Sequence, residues 1–265
     1  MNPSNEYLPF SSEIKEVIKH TEIEYTFRMT YEGFVKPGQF FDVSIPKFGE
    51  APISVSGIDD GLIDLTIRKV GKVTDEIFET YSGRRMFLRG PYGNGFDVEN
   101  YRGKELVIIA AGTGVSPVRG LIDYFSKHPD EVKNMVVIAG FRTPQDILFC
   151  DDFACWKESS ETFLTLSRDL DNTEYLHGHV TDHIPEMKIH QVSEAQAVVV
   201  GPHKMMDDSI EALLRIGFRK ENIWLSHERK MCCGLGKCGH CRIDNVYVCI
   251  DGPVFNYAEA QFLLD

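Results

Sequence analysis

Residues 105–117 read ELVIIAAGTGVSP. An unbroken apolar run leads into a glycine-rich turn, and Pro117 then suits the first turn of a helix. A strand, a glycine turn and a helix in this order present backbone N–H groups and a positive helix end to phosphate. We therefore predict a nucleotide-binding turn at Gly112, Thr113 and Gly114, although a turn of this kind also occurs in a purely structural role.

The sequence on the C-terminal side of this turn repeats the pattern. Buried strands without polar alternation, separated by helices, indicate a parallel sheet. One strand ends in Gly201-Pro202 before a helix, and ligands bind at the carboxyl ends of parallel strands. We predict that Gly201 and Pro202 share the nucleotide crevice with the first turn. The predicted strands are 105–111, 134–141, 161–167 and 195–202, and the predicted helices are 116–128 and 204–217.

The N-terminal sequence has a different character. Short alternating segments separated by turn signals predict an antiparallel sandwich or barrel. A helix is predicted to begin near Thr74, with Thr74 as its N-cap and acidic residues in its first turn. The predicted strands are 22–31, 39–46, 52–58 and 62–70.

Five of the seven cysteines lie between Cys232 and Cys249, and residues 231–241 read MCCGLGKCGHC. Counted from Cys233, the spacing is C-x4-C-x2-C-x7-C, whose first intervals match the plant-type [2Fe–2S] pattern. The glycines between them allow a tight loop whose N–H groups point inward. We predict a cluster on four ligands, with Cys232 as an alternative first ligand: Cys233, Cys238, Cys241 and Cys249. Zinc is the competing interpretation, but zinc sites prefer paired C-x2-C knuckles and only one such pair is present.

Composition narrows the class of protein. The chain has 265 residues, 43% of them hydrophobic, and a formal net charge of −12. An acidic chain repels nucleic acid and anionic lipid, so we expect neither nucleic acid nor membrane as a partner. The N-terminus shows no export signal and no apolar run is long enough to span a bilayer, which predicts a cytoplasmic protein.

Changes in these patterns predict three domains. Residues 1–100 form the barrel, residues 101–225 the nucleotide-binding α/β domain, and residues 226–265 the small cluster-binding subdomain. The histidines of the HGHVTDH segment at 177–183 are interpreted as exposed polar residues, with a metal site as the alternative.

The order of barrel, GTGxSP turn and C-terminal cysteine motif resembles the ferredoxin–NADP reductase superfamily, in the branch that carries a C-terminal [2Fe–2S] cluster. Within that branch, the flavin-containing electron-transfer subunits of anaerobic sulfite reductases are the most similar. The resemblance covers nearly the whole chain and implies a Greek-key FAD-binding barrel. The segments that carry it are 49–56, 70–74, 90–96, 112–114, 200–202, 236–241 and 246–257.

The resemblance implies an FAD site on residues 51–54, which read Ala-Pro-Ile-Ser. Ser54 is the matching serine, which contacts the flavin edge near N5 and is the predicted catalytic residue. Pro52 and Ile53 flank it, and Ala51 stands where relatives have an arginine for the pyrophosphate. The groups expected to bind the pyrophosphate in place of that arginine are Arg68 and the backbone N–H groups of a helix N-terminus. That backbone belongs to Gly71, Val73 and Thr74. The alternative for Arg68 is a solvent-exposed charge on a strand.

Residues after the third strand of the nucleotide-binding domain bear on the choice between NADH and NADPH. Ser167, Arg168 and Tyr175 look like the set that binds the 2′-phosphate in NADPH-specific relatives, and arginine can clamp a phosphate. Against this, Asp169 and Asp171 would repel phosphate. We expect NADH, with NADPH as the alternative.

The resemblance implies an electron-transfer subunit that oxidises NAD(P)H. Flavin is needed because it accepts hydride and releases single electrons. The expected partners are a siroheme-containing sulfite reductase subunit and a ferredoxin-like subunit. The alternative is the electron-transfer subunit of a dihydroorotate dehydrogenase or of a sulfhydrogenase, and a redox sensor without turnover is a further hypothesis.

Overall fold

The structure is a computed structural model that describes residues 5–80, 85–168, 174–261 and residue 263. Six antiparallel strands of the N-terminal part close into a barrel in the order β1-β2-β5-β4-β3-β6. Helix α1 (Lys72–Thr80) follows the fifth strand. The barrel strands are β1 (Phe10–Lys19), β2 (Glu24–Thr30), β3 (Phe40–Ile45), β4 (Gly49–Asp59), β5 (Leu62–Arg68) and β6 (Arg85–Tyr92).

A seven-stranded sheet follows, in the order β10-β9-β8-β7-β11-β12-β15. Every pairing is parallel except the one between β12 and β15. Its strands are β7 (Glu105–Ala111), β8 (Asn134–Phe141), β9 (Glu161–Leu166), β10 (Leu176–His177), β11 (Gln196–Val200), β12 (Ile223–Ser226) and β15 (Val254–Asn256). The helices are α2 (Val115–Lys127), α3 (Cys150–Ser159), α4 (His203–Ile216) and α5 (Tyr257–Ala260).

The sheet is buried on both faces, which explains its unbroken apolar strands. In β7, Leu106 and Ile108 belong to the apolar cluster on one face, and Val107 and Ile109 to the cluster on the other. Cys241 and Cys249 lie in this second cluster. Residues 232–249, called the cysteine segment below, are therefore packed on the sheet. They include a small hairpin of β13 (Arg242–Ile243) and β14 (Val246–Tyr247).

Arg119 of α2 joins the barrel to the sheet domain. Its guanidinium donates to the carboxylates of Asp64 in β5 and Asp152 in α3, at 2.9 and 2.6 Å, and to the carbonyl of Ser56 in β4. Only 11% of its side chain is exposed. Because a buried charge needs partners, this network fixes how the two parts meet.

The predicted fold class is confirmed: an antiparallel barrel precedes a parallel α/β sheet and a C-terminal cysteine region. Strands β1 and β6 and helix α3 were not predicted. Helix α1 begins at Lys72, so Thr74 lies inside the helix and is not its N-cap as predicted. The domain limits near residues 100 and 226 stay predictions, and β15 shows that the chain returns to the sheet after the cysteines. No helix in the described ranges has the length and apolarity to cross a membrane.

Candidate functional site

A cleft of about 460 Å³ opens at the carboxyl ends of the parallel strands. It brings together the two glycine turns that the sequence predicted, one after β7 and one after β11. Arg68 and Glu24 from the barrel form part of its wall, so the cleft lies between barrel and sheet. The predicted residues that line it are Gly112, Thr113, Gly114, Gly201, Pro202, Ser167 and Arg68.

Two helices point their N-termini at this cleft. No side chain in the described part of the chain caps the N-terminus of α2 or α4, so their first N–H groups lack the usual capping oxygen. Among the described residues, the buried Ser116 hydroxyl in the first turn of α2 has no hydrogen-bond partner, but Ser116 is not part of the cleft lining. Uncapped helix ends at the cleft suit the phosphates of a dinucleotide.

The two glycine turns touch each other. A Cβ placed on Gly114 would lie 2.5 Å from the carbonyl oxygen of Val200, and backbone cannot move aside as a side chain can. Gly201 has a φ of +157°, and a Cβ there would also crowd the backbone of Ala111. Glycine at both positions is what lets the floor of the cleft close.

The groups predicted to bind the FAD pyrophosphate in place of the missing arginine differ in their surroundings. Arg68 lies in the cleft, with its Nε 3.2 Å from Glu24 Oε1, so its charge is shared with a carboxylate. The Thr74 hydroxyl accepts hydrogen bonds from the N–H groups of Val70 and Gly71 at 2.9 and 3.0 Å. The Gly71 N–H is therefore already engaged, which leaves Arg68 and the first turn of α1 around Val73 as the pyrophosphate candidates.

Residues 51–54 lie in the middle of β4, paired with β3. Ser54 is half-buried and faces Phe40 of β3 across the pair. Within the described part of the chain its hydroxyl has no hydrogen-bond partner, which fits a group that waits for a ligand. Ile53 packs against the barrel core, and Ala51 and Pro52 are half-buried beside it.

The predicted 2′-phosphate set is divided. Ser167 lines the cleft, whereas Arg168 is exposed and stands outside its lining. Tyr175 packs partly against the apolar core, where burial raises the pKa of its hydroxyl. Asp169 and Asp171 lie outside the described residues. Of the three side chains, Ser167 alone is in the cleft lining, and the 2′-phosphate set stays a prediction.

The cysteine segment directs backbone N–H groups at its sulfurs. Cys233 Sγ accepts from the N–H groups of Leu235 and Lys237 at 3.3 and 3.4 Å, and Cys249 Sγ accepts from Gly236 at 3.2 Å. Such donors stabilise the negative charge of a thiolate-bound cluster. The glycines of this loop at positions 234, 236 and 239 all have positive φ.

The thiols differ in their surroundings. A hydrogen bond from the backbone N–H of His240 lowers the pKa of Cys238, which is exposed. Burial and the neighbouring Cys241 thiol raise the pKa of Cys249 to about 12. Cys232 is exposed, and within the described ranges its sulfur receives no hydrogen bond. This contrast favours Cys233 over Cys232 as the first cluster ligand.

Among the described residues, no three His, Cys, Asp or Glu side chains converge on a position for a single metal ion. A [2Fe–2S] cluster divides four thiolates between two irons and does not require them to meet at one ion. His183 is buried and contacts the His177 carbonyl oxygen and the Glu186 carboxylate, at 3.1 and 3.2 Å. That histidine therefore has a structural role, and the prediction that all three are exposed is wrong for it.

The cysteine segment is fixed to the barrel by residues that the sequence analysis did not single out. Arg89 of β6 is buried and contacts both Asp42 and Glu50. Burial raises the pKa of Asp42 to about 6, and the Arg89 charge opposes that shift. The one sequence signal was that Arg89 directly precedes residues 90–96, one of the segments that carry the family resemblance.

Comparison with known proteins identifies the family. Residues 108–210 match the oxidoreductase NAD-binding domain, and residues 228–261 match the iron–sulfur cluster binding domain of dihydroorotate dehydrogenase B. Sulfhydrogenase 1 subunit gamma of Pyrococcus furiosus is 35% identical over 97% of this chain and 94% of that protein. A probable dihydroorotate dehydrogenase B electron transfer subunit of Methanocella arvoryzae is 32% identical over 94% of this chain and 90% of that protein.

Solved structures show the same fold. The structure of an NADH-dependent reduced ferredoxin–NADP oxidoreductase covers 98% of this chain and 95% of that one, with a TM-score of 0.76 and 23% identity. A ferredoxin NADP+ reductase from Neisseria gonorrhoeae with bound FAD and NADP covers 82% of this chain and 97% of that one, with a TM-score of 0.70 and 18% identity.

These matches confirm the predicted cofactor types, which are FAD, NADH and an iron–sulfur cluster. They support the alternative prediction, a dihydroorotate dehydrogenase or sulfhydrogenase type of subunit, better than the sulfite reductase role. The chain is an oxidoreductase subunit that acts on NAD(P)H. It belongs to the ferredoxin reductase-like family of FAD- and NAD-binding electron-transfer subunits with an iron–sulfur domain of the dihydroorotate dehydrogenase B type.

Proposed function

We propose that this chain oxidises NADH and passes the electrons through FAD and a [2Fe–2S] cluster to a separate catalytic subunit. The observation that carries the proposal is the placement of two sites around one barrel. The glycine-lined cleft opens between barrel and sheet, and the cysteine segment is hydrogen-bonded to barrel strand β6. The FAD-binding element therefore contacts both the electron entry site and the electron exit site.

The proposed roles follow from these positions. The N-termini of α2 and α4, with the glycine turns, bind the phosphates of the nicotinamide nucleotide. The Ser54 hydroxyl orients the flavin edge, and Arg68 and the first turn of α1 face its pyrophosphate. FAD, when bound, supplies the conversion of a hydride into two single electrons. The cluster ligands are Cys233, Cys238, Cys241 and Cys249.

For the partner, we favour the catalytic subunits of a sulfhydrogenase-type complex. Support comes from the Pyrococcus furiosus sulfhydrogenase 1 gamma subunit, which aligns with 97% of the chain. A complex isolated through a tag on this chain would be assayed for NADH oxidation coupled to protons, orotate or sulfite. Coupling to protons supports the proposal. Coupling to orotate or sulfite alone would replace it with a dihydroorotate dehydrogenase or a siroheme sulfite reductase partner.

The test of the electron path is an anaerobic titration of the purified chain with NADH and, separately, with NADPH. Absorbance of flavin and cluster is followed together. Bleaching of both chromophores by NADH is the expected result, because hydride enters at the flavin and the cluster is the next acceptor. If bound flavin and cluster both stay oxidised with either nucleotide, electrons enter elsewhere and the proposed direction is wrong.

Nucleotide preference gives a separate prediction. Arg168→Ala is expected to change the ratio of kcat/KM for NADH and NADPH less than threefold, because Arg168 lies outside the cleft lining. Loss of an arginine that binds the 2′-phosphate would instead lower kcat/KM for NADPH alone by at least about tenfold, or about 1.4 kcal/mol. Steady-state kinetics with both nucleotides make the measurement. A selective collapse of NADPH turnover would restore the 2′-phosphate role that the sequence suggested.

A further inference from the structure

Arg89 is a buried cation at the boundary between the barrel and the cysteine segment. Only 4% of its side chain is exposed. Its Nε donates to Glu50 at 2.8 Å, and its Nη2 contacts Asp42 Oδ2 at 2.9 Å and the second oxygen of Glu50. Two barrel carboxylates therefore already satisfy the charge of this guanidinium, and stability of the barrel alone requires no further partner.

The remaining donors of Arg89 reach outside the barrel. Nη1 donates to the carbonyl oxygen of Cys233 at 2.9 Å, and Nη2 approaches the carbonyl oxygen of Cys232 at 3.2 Å. These carbonyls are more than 140 positions away along the chain. Nη1 also donates to the Tyr92 hydroxyl at 2.9 Å. All three nitrogens of the group are thus engaged, and two of them hold the backbone at the first cluster ligand.

Tyr92 reinforces this contact by its shape. Gly234 directly follows the first ligand and has a φ of +70°, and a Cβ there would lie 2.6 Å from the Tyr92 ring. The loop therefore rests on the ring while Arg89 holds its carbonyls. The guanidinium lies 5.6 Å from the same ring centroid. These two contacts thus fix the position of the loop on the barrel at Cys233.

We propose that Arg89 is a positioning residue for the iron–sulfur cluster: it holds the Cys232–Cys233 backbone on the barrel and biases the cluster towards reduction. The inference rests on the proposed cluster and goes beyond it by assigning a residue outside the cysteine motif. An added electron makes a cluster more negative, so a fixed cation near it favours the reduced form. Burial preserves that effect, since water screens the charge poorly there.

Removing Arg89 would act in two ways. The carbonyls at the first ligand lose their donors, and partners that orient metal ligands typically contribute about 10–100-fold to metal affinity. The carboxylates of Asp42 and Glu50 would then face the cluster without their cation. The first change weakens iron binding. The second leaves more negative charge near the cluster and disfavours reduction, so the midpoint potential of the cluster is expected to become more negative.

The experiment compares Arg89→Gln and Arg89→Lys with a matched control, Arg119→Gln. Arg119 is also a buried arginine between carboxylates that donates to a backbone carbonyl, but its partners lie in β4, β5 and α3. Each variant is measured for iron per FAD, iron loss to a chelator, the electron paramagnetic resonance spectrum of the dithionite-treated protein, and the cluster midpoint potential. Thermal unfolding reports the general cost of losing a buried arginine.

For Arg89→Gln we expect roughly tenfold faster iron loss, a changed spectrum and a more negative cluster potential, with flavin bleaching by NADH retained. Arg89→Lys, which keeps the charge but not the fork of donors, should recover more of the potential than of the iron retention. Arg119→Gln should lower thermal stability and leave the cluster signals unchanged.

Two results would count against the proposal. If Arg89→Gln matches the wild type in spectrum, potential and iron retention, or if Arg119→Gln shifts them equally, Arg89 has only a structural role. A wild-type chain without iron would instead contradict the proposed cluster itself, so the two failures are distinguishable. If Arg89→Gln does not fold, the iron retention and spectrum of Arg89→Lys decide, and wild-type values of both in that variant overturn the positioning role.

Discussion

Serine at any one of the four predicted cluster ligands is expected to remove the [2Fe–2S] absorbance and most of the iron, with FAD retained. Serine lacks the soft sulfur donor, and within the described ranges no other sulfur, that of Cys232 included, accepts from the N–H groups that face Cys233 and Cys249. The ligands in question are Cys233, Cys238, Cys241 and Cys249. NADH should still bleach the flavin of these variants, while electron transfer to the catalytic partner is lost.

Cys232→Ser is the matched control for this series. It changes the adjacent residue to the same amino acid, but the Cys232 sulfur is exposed and accepts no backbone hydrogen bond in the described ranges. Iron per FAD should stay at the wild-type value. The reverse pattern, with iron lost from Cys232→Ser and kept in Cys233→Ser, would make Cys232 the first ligand and overturn the spacing counted from Cys233.

Gly114→Ala is expected to raise the KM for NADH at least tenfold and to slow NADH-driven flavin bleaching. The added Cβ would lie 2.5 Å from the Val200 carbonyl oxygen, so the start of α2 must shift away from the end of β11 and the floor of the cleft opens. Overpacking of this kind costs about 1–3 kcal/mol, and about 1.4 kcal/mol of lost binding corresponds to the tenfold change.

The control is Gly120→Ala, on the same helix but facing the barrel. A Cβ at Gly120 would meet Pro37 at 3.5 Å, which is ordinary contact, and alanine favours the helix. This variant should bind NADH as the wild type does. Chemical reduction by dithionite should bleach the flavin in both variants. Equal KM values for Gly114→Ala and the wild type would show that the close contact of the turns does not shape the nucleotide site.

Local sequence patterns predicted much of the fold. The apolar run at β7 has the predicted bounds, and β8, β9, β11, α2 and α4 differ from prediction by at most a few residues at their ends. These elements are long and strongly periodic, so their type is encoded locally. The glycine turns at Gly114 and Gly201 were also recognisable, because a close backbone approach leaves glycine as the only suitable residue.

Features that depend on distant contacts were not predicted. The contact between Arg89 and the Cys233 carbonyl joins residues 144 positions apart, and the sequence beside Arg89 does not show which distant backbone atoms the side chain contacts. The division of the Ser167, Arg168 and Tyr175 set is of the same kind, since each side chain's direction is set by packing around it. Strand β15 has three residues, too few for a periodic signal, and only its partner β12 makes it a strand.

The pairing of β12 with β15 bears on how the protein matures. These two strands are neighbours in the sheet, and the chain that connects them contains the cysteine segment. The strands pair from Trp224–Asn256 to Ser226–Val254, so the sheet holds both ends of the connection. Strands β12 and β15 can therefore pair before iron binds. A scaffold that delivers the metal then meets a loop whose two ends are already held in place. We expect amide protons of β12 and β15 to resist hydrogen exchange in the iron-free protein, while those of residues 231–241 exchange freely until the metal is delivered.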